Sequence, residues 1–159
     1  MSLHRYDADF YLWSQEQADL LRALPRSNAL DIDNLAEEVE DMGRAELNKV
    51  ASLLVQVLVH LVKLALEPET PARGHWIEES LTFQADARRA FSPGMCQRLD
   101  LEDIWHDAAR LALAARAEAG RPPGVMLPQS CPLSLDALLA RDFDYAAASA
   151  AVAAALPQP

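Results

Sequence analysis

The chain has 159 residues, 14 basic against 24 acidic, and a formal charge of −10. Half of it is apolar by count, a globular composition rather than a disordered one. An acidic pI of about 4.7 argues against a general nucleic-acid or anionic-membrane binder, which needs Lys and Arg in excess to neutralise phosphate. The length suits one domain, expected over residues 1–143 and followed by an Ala-rich tail at 144–159. No stretch reaches the roughly 18 uninterrupted apolar residues of a membrane span. The opening MSLHRYDADFYLW has no basic region leading into an apolar core, so no secretory signal is expected. Cys96 and Cys131 have neither metal nor disulfide spacing and read as reduced thiols of a cytoplasmic protein.

Ala, Leu, Glu and Arg dominate the long segments, and nowhere does an apolar/polar alternation persist. The expected class is all-α: a helical bundle around one long, largely buried central helix, with a short C-terminal helix after a Pro-rich loop. The first helix is predicted from about Asp7 to Leu24, capped by Asp7 or Asp9, with Phe10, Trp13, Gln17, Leu20 and Leu24 inward. Arg26, Ser27 and Asn28 form the turn after it. Asp31 or Asp33 then caps a helix from Asn34 to about Leu66. At 100° per residue its inward stripe is Leu35, Val39, Met42, Glu46, Val50, Leu53, Val57, His60, Leu61 and Leu64. From Val50 onward this helix is apolar nearly all round, as a buried central helix is. Gly43 marks a kink, a close helix crossing or a break into two helices.

A third helix is predicted over His75–Phe91, with Trp76, Ser80, Phe83, Ala87 and Ala90 inward. The fourth spans about Leu101–Ala119, with Trp105, Ala108, Leu111 and Ala115 inward and Gly120 closing it. The Pro-rich loop Arg121–Pro132 leads to a short helix near Leu135–Ala140. Tyr145–Leu156 has strong helix propensity but little to bury, so weak docking or fraying is expected.

Glu37, Glu38, Glu40 and Asp41 crowd the first turns of the long helix. Acids there complement the macrodipole, and Glu40 with Arg44 is an ordinary i,i+4 pair. In the sharper reading Glu38 and Asp41, one turn apart, share a divalent ion or bind a cationic group through oxygen ligands. The cofactor stays open: the spacing separates neither Mg from Mn nor either from no metal. Glu46 falls within the apolar stripe, where a carboxylate needs a partner such as Arg88 or Arg89 unless it is exposed. His60 lies on the edge of the same stripe, near Lys63, as a core histidine or a proton-transfer group. Glu38 and His60 are 22 residues apart, about 33 Å along an unbroken helix, and could meet only if the chain reverses near Gly43. His75 and His106 add no metal-binding pair, and Glu102 with His106 lacks a second match. There is no phosphate loop, nucleophile elbow or basic–aromatic stripe, and nothing indicates a covalent nucleophile at Cys96.

YDADFYLW at Tyr6–Trp13, EQADLLR at Glu16–Arg22 and DNLAEEVEDMGRAE at Asp33–Glu46 resemble the bacterial "domain of unknown function twenty-nine" family. HLVK at His60–Lys63, Trp76, SP at Ser92 and CPLSLDALLARDF at Cys131–Phe143 continue the match over almost the whole chain. The resemblance implies an almost wholly helical bacterial protein without an established reaction. It places the family's typical polar positions on Glu37, Glu38, Asp41, Arg44, Glu46, His60 and Lys63. The chain departs from the pattern at Trp105, where tyrosine is usual, and in the alanine tail.

Two functions follow as expectations. One is an enzyme with a carboxylate-lined polar cleft, in which Glu38 and Asp41 are ligands or bases, Arg44 clamps an anion and His60 moves a proton, with Glu37, Glu46 and Lys63 binding. The other is a non-catalytic module that binds a protein partner or forms a homo-oligomer, without nucleic acid or membrane.

Overall fold

The computed structural model describes residues 5–26 and 29–157. Met1–His4, which begin the stretch read for a leader, and Ser27 and Asn28, read as part of the first turn, lie outside the described residues. The described chain forms seven α-helices, one 3-10 turn and no strand, as the Leu-, Ala-, Glu- and Arg-rich segments require. These are α1 (Arg5–Ala8), α2 (Phe10–Arg22), α3 (Ile32–Leu66), α4 (Arg73–Ala90), the 3-10 turn Pro93–Met95, α5 (Leu101–Glu118), α6 (Leu135–Leu138) and α7 (Tyr145–Ala155). They pack as two units: the described residues of Met1–Val50 with Ala90–Leu99, and of Ala51–Arg89 with Asp100–Pro159. The long helix α3 supplies its first half to one and its second half to the other.

In the first unit the chain breaks at Asp9, where the sequence pattern reads a single helix from Asp7. The Asp9 carboxylate caps α2 by accepting from the Leu12 N–H at 3.0 Å. It also accepts from the Ser92 hydroxyl at 2.8 Å and the Gly94 N–H at 2.7 Å, which ties the 3-10 turn to the start of α2. Gly94 belongs there because a Cβ would lie 2.9 and 3.0 Å from the two Asp9 carboxylate oxygens. Tyr6, Phe10 and Trp13 meet edge-on and stacked beside it, with centroids 4.7 to 5.5 Å apart.

The crossing of α2 and α3 is made by small residues. Ser14 and Ala18 on α2 and Ala36 on α3 are fully buried, and so is Gly43. A Cβ on Gly43 would stand 1.9 Å from the Ser14 hydroxyl oxygen. Of the three readings of Gly43, the structure shows the close crossing, because α3 runs through it without a break. This crossing corrects the predicted inward faces. Backbones that approach this closely need residues without bulk, so at the crossing each helix turns small residues in. Leu20 (46% exposed), Leu24 (48%), Leu35 (42%) and Met42 (52%) accordingly face solvent. Asp31 is the cap of α3, accepting from the Asn34 N–H at 3.4 Å.

In the second unit α3 is buried nearly all round, as its sequence predicts: Leu54, Val57, Leu58, Leu61 and Val62 are fully enclosed. An 18-residue window of α3 has a mean hydropathy of 1.8, enough by length and composition for a membrane span, although no uninterrupted apolar run reaches that length. Half of that window is buried inside the chain, as in a core helix. Gln84 on α4 donates to the carbonyls of Leu138 at 2.9 Å and Ala140 at 2.8 Å and so anchors α6. The Trp105 indole donates to the Pro128 carbonyl at 2.8 Å and pins the Pro-rich loop. Gly120, with φ of +68°, ends α5 as its position predicts. The alanine-rich α7 is docked through buried Ala148 and Val152, and Asp144 caps it.

Gly43→Ala should lower stability by about 1–3 kcal/mol, since the added methyl overfills the crossing. Ser14→Ala in the same chain should return part of that loss, and a double-mutant cycle in urea checks the coupling.

Candidate functional site

The acidic block sits on one turn-rich stretch of α3. Glu37, Glu38 and Asp41 are exposed. Arg44 reaches back along its own helix, to Asp41 at 3.1 Å and Glu40 at 3.7 Å. Glu40 also pairs with Arg22 on α2, and that guanidinium holds the Glu40 carboxyl below its ordinary value, with Arg44 adding to the effect. Arg22 is raised in return. Glu46 is half-exposed and pairs with Lys49 at 3.9 Å, while Arg89 pairs with Asp86. Glu46 borders a shallow cavity of about 290 Å³ with Phe10, Ala90, Ser92 and Met95. Among the described residues no three His, Cys, Asp or Glu side chains converge as a metal site would need.

His60 lies in the second unit, 4% exposed. Its Nδ1 stands 2.7 Å from the Gln56 carbonyl oxygen and its Nε2 2.7 Å from a Glu79 carboxylate oxygen. A carbonyl only accepts, so Nδ1 carries a proton. The exposed His75 touches the same Glu79 oxygen at 3.4 Å, and Phe83 packs beside the His60 ring with centroids 5.7 Å apart. With both nitrogens engaged, the His60 ring offers no free atom to a substrate in this arrangement.

One turn further on, the Lys63 ammonium stands 5.4 Å from the centre of the Trp76 ring. Both line a cavity of about 180 Å³ that Glu67, Thr70, Arg116 and Arg121 complete. Glu67 joins the two arginines, one to each oxygen, at 3.1 and 3.0 Å. Burial pushes the Cys131 thiol up, and Glu102 adds to this, so it carries little thiolate at neutral pH.

The structure thus groups Glu37, Glu38, Asp41, Arg44 and Glu46 on the first half of α3, and His60 and Lys63 on the second. The reversal at Gly43 needed to bring Glu38 toward His60 does not occur, because α3 is continuous there. Sequence reasoning missed Glu79, Arg116 and Arg121. Glu79 had a usable signal, the i,i+4 spacing from His75 on the face that carries Trp76. The two arginines had none, since their partner Glu67 is distant in sequence.

A family model, Domain of unknown function DUF29, matches residues 5–144. The chain belongs to this family. A crystal structure of an alpha-helical protein of unknown function from Rhodospirillum rubrum is 39% identical to it. The match covers 91% of this chain and 95% of that one, with a TM-score of 0.84. No curated protein matches. The DUF29 match takes in every residue of both groups and stops one residue before α7.

Two measurements check these contacts. His60→Ala should cost about 3 kcal/mol in chemical denaturation, by opening a cavity and stripping Glu79 of its buried partner. Glu40 titrates lower in the folded chain than its ordinary value of 4.5, so its pair with Arg22 stabilises the fold above that value. That contribution is lost as the pH falls through the lowered value. The melting-temperature gap between wild type and Glu40→Gln should therefore be full at neutral pH and close in strong acid.

Proposed function

We propose that this DUF29 chain is a non-catalytic interaction module, and that the exposed side of the first half of α3 docks a basic, amphipathic helix of a partner protein. One observation carries the reading. Leu35 and Met42, the large apolar residues of the block that marks the family, stand exposed while Ala36 and Gly43 take the buried positions. Leu35, Glu38, Met42 and Ala45, all exposed, follow one another at three- and four-residue steps, the pattern of a helix-in-groove contact. Between Asp31 and Val50 the chain carries seven acids against two bases, Arg44 and Lys49. A second copy would bring the same excess of negative charge to the contact, whereas a basic helix would meet it with opposite charge.

The enzyme reading draws on the same acids, but Glu38 and Asp41 stand on an open helix surface, and Arg44 is engaged along its own turn. The two unpaired cysteines suit the reducing cytoplasm in which such a partner would be met.

The test uses a synthetic helical peptide with a leucine stripe flanked by lysines. It should bind one to one, more weakly as salt rises. Leu35→Glu with Met42→Glu should weaken binding at least about tenfold with the melting temperature nearly unchanged, because both residues are exposed. Charge reversal at Glu37, Glu38 and Asp41 should abolish it, and the chain alone should sediment as a monomer. Self-association lost in the Leu35/Met42 variant would assign the face to a homodimer instead. Peptide binding indifferent to both sets of substitutions would overturn the docking face.

A further inference from the structure

The cavity of about 180 Å³ in the second unit inverts the charge of the whole chain: Lys63, Arg116 and Arg121 line it against the single carboxylate of Glu67. Glu67 takes one contact from each guanidinium, Arg116 through Nη1 and Arg121 through Nη2, which leaves both forks with unused donors. The Arg116 side chain is 17% exposed, and its Nε is shut off from water with no acceptor among the described residues. Buried donors are rarely left unpaired, and a guanidinium least of all. Lys63 has no carboxylate partner among the described residues either. Its ammonium stands instead over the Trp76 ring, whose quadrupole attracts it. Leu66, Trp76, Ala112, Ala115 and Ala119 make the apolar part of the wall.

We infer that this cavity binds a small organic oxyanion, a carboxylate or phosphate carried on a flat apolar body. Lys63, Arg116 and Arg121 hold the oxyanion, and the body lies along Trp76. Planar guanidinium forks match either oxyanion, and an ammonium adds a point charge. The cavity is smaller than the roughly 300 Å³ at which ordinary ligand pockets begin, so the ligand is little more than one ring with its acid group. Glu67 holds the two arginines together while the site is empty and opposes the incoming charge. It is a positioning residue that lowers affinity.

The full-length chain is titrated with benzoate, phenyl phosphate and neutral benzamide, following the Trp76 indole N–H by NMR. At least one of the two anions should shift it saturably in the millimolar range, and benzamide should not. The tighter of the two names the acid group. Lys63→Gln and Arg121→Gln should each weaken binding about fivefold, the loss of one partly exposed charge contact. Glu67→Gln should tighten it, a direction opposite to that of simple damage to the fold. Leu35→Glu with Met42→Glu should leave it unchanged, which separates this site from the docking face. No saturable shift with either anion, equal binding of benzamide, or wild-type affinity in Lys63→Gln would each overturn the assignment. So would Glu67→Gln weakening the binding, with the chain still folded.

Discussion

Where Gly43 passes Ser14 there is no room for a side chain, and the outward face of the first unit follows from that contact. Ser14 is itself held, its hydroxyl donating to the Tyr11 carbonyl at 2.7 Å, and Gln15 donates across to the Glu40 carbonyl at 3.4 Å. With the crossing this tight, α3 can rotate very little about its own axis. Ala36, Gly43 and Val50 are fixed inward at seven-residue steps, and Leu35 and Met42 each lie about 100° around the helix from the inward residue that follows them. Fully burying a Leu or Met side chain is worth about 1.5–3 kcal/mol. The fold forgoes much of that at two positions on one helix, to gain backbone contact and a fixed register instead. Both are left on one exposed stripe beside Glu38, the stripe on which the proposed docking rests.

The extents of the helices were legible because they depend on local chemistry. Prolines, Asp31 and Gly120 start and stop helices wherever they stand, and apart from the break at Asp9 the observed ends fall within two or three residues of the expected ones. The inward faces of α2 and of the first half of α3 were not legible. A helical wheel ranks residues by hydrophobicity, whereas a close crossing selects for lack of volume, and Ser14, Ala18, Ala36 and Gly43 score poorly on the first count. The wheel does better elsewhere: Ser80 and Ala87 on α4, and Trp105 and Ala108 on α5, are buried where periodicity puts them, but Leu111 and Ala115, read as inward on α5, are exposed.

The same division runs through the candidate sites. His60 stood out because a polar ring within an apolar stretch is visible in one dimension. Its partner Glu79 lies 19 residues away on another helix, and only the pairing of α3 with α4 joins them. That pairing sets two neighbouring rungs, His60 with Glu79 and Lys63 with Trp76, each displaced three residues along its helix. Glu67 extends the ladder to α5 through Arg116, 49 residues on in sequence. Rungs closed by tertiary contact explain why Lys63 could be singled out while the arginines that share its cavity could not.

Net charge marks the limit of what composition can decide. A chain at −10 repels an extended polyanion, because such a ligand must meet many cations at once over a long surface. A small anion samples only the charges near it, since exposed charges beyond about 8 Å are largely screened at physiological salt. The lining of the second-unit cavity presents three cations and one carboxylate, and the acids of Glu37–Asp41 belong to the other unit. The acidic balance therefore argues against nucleic acid and leaves a single bound oxyanion untouched. The two ends of α3 can thus carry opposite preferences, the first for a basic helix and the second for a small acid.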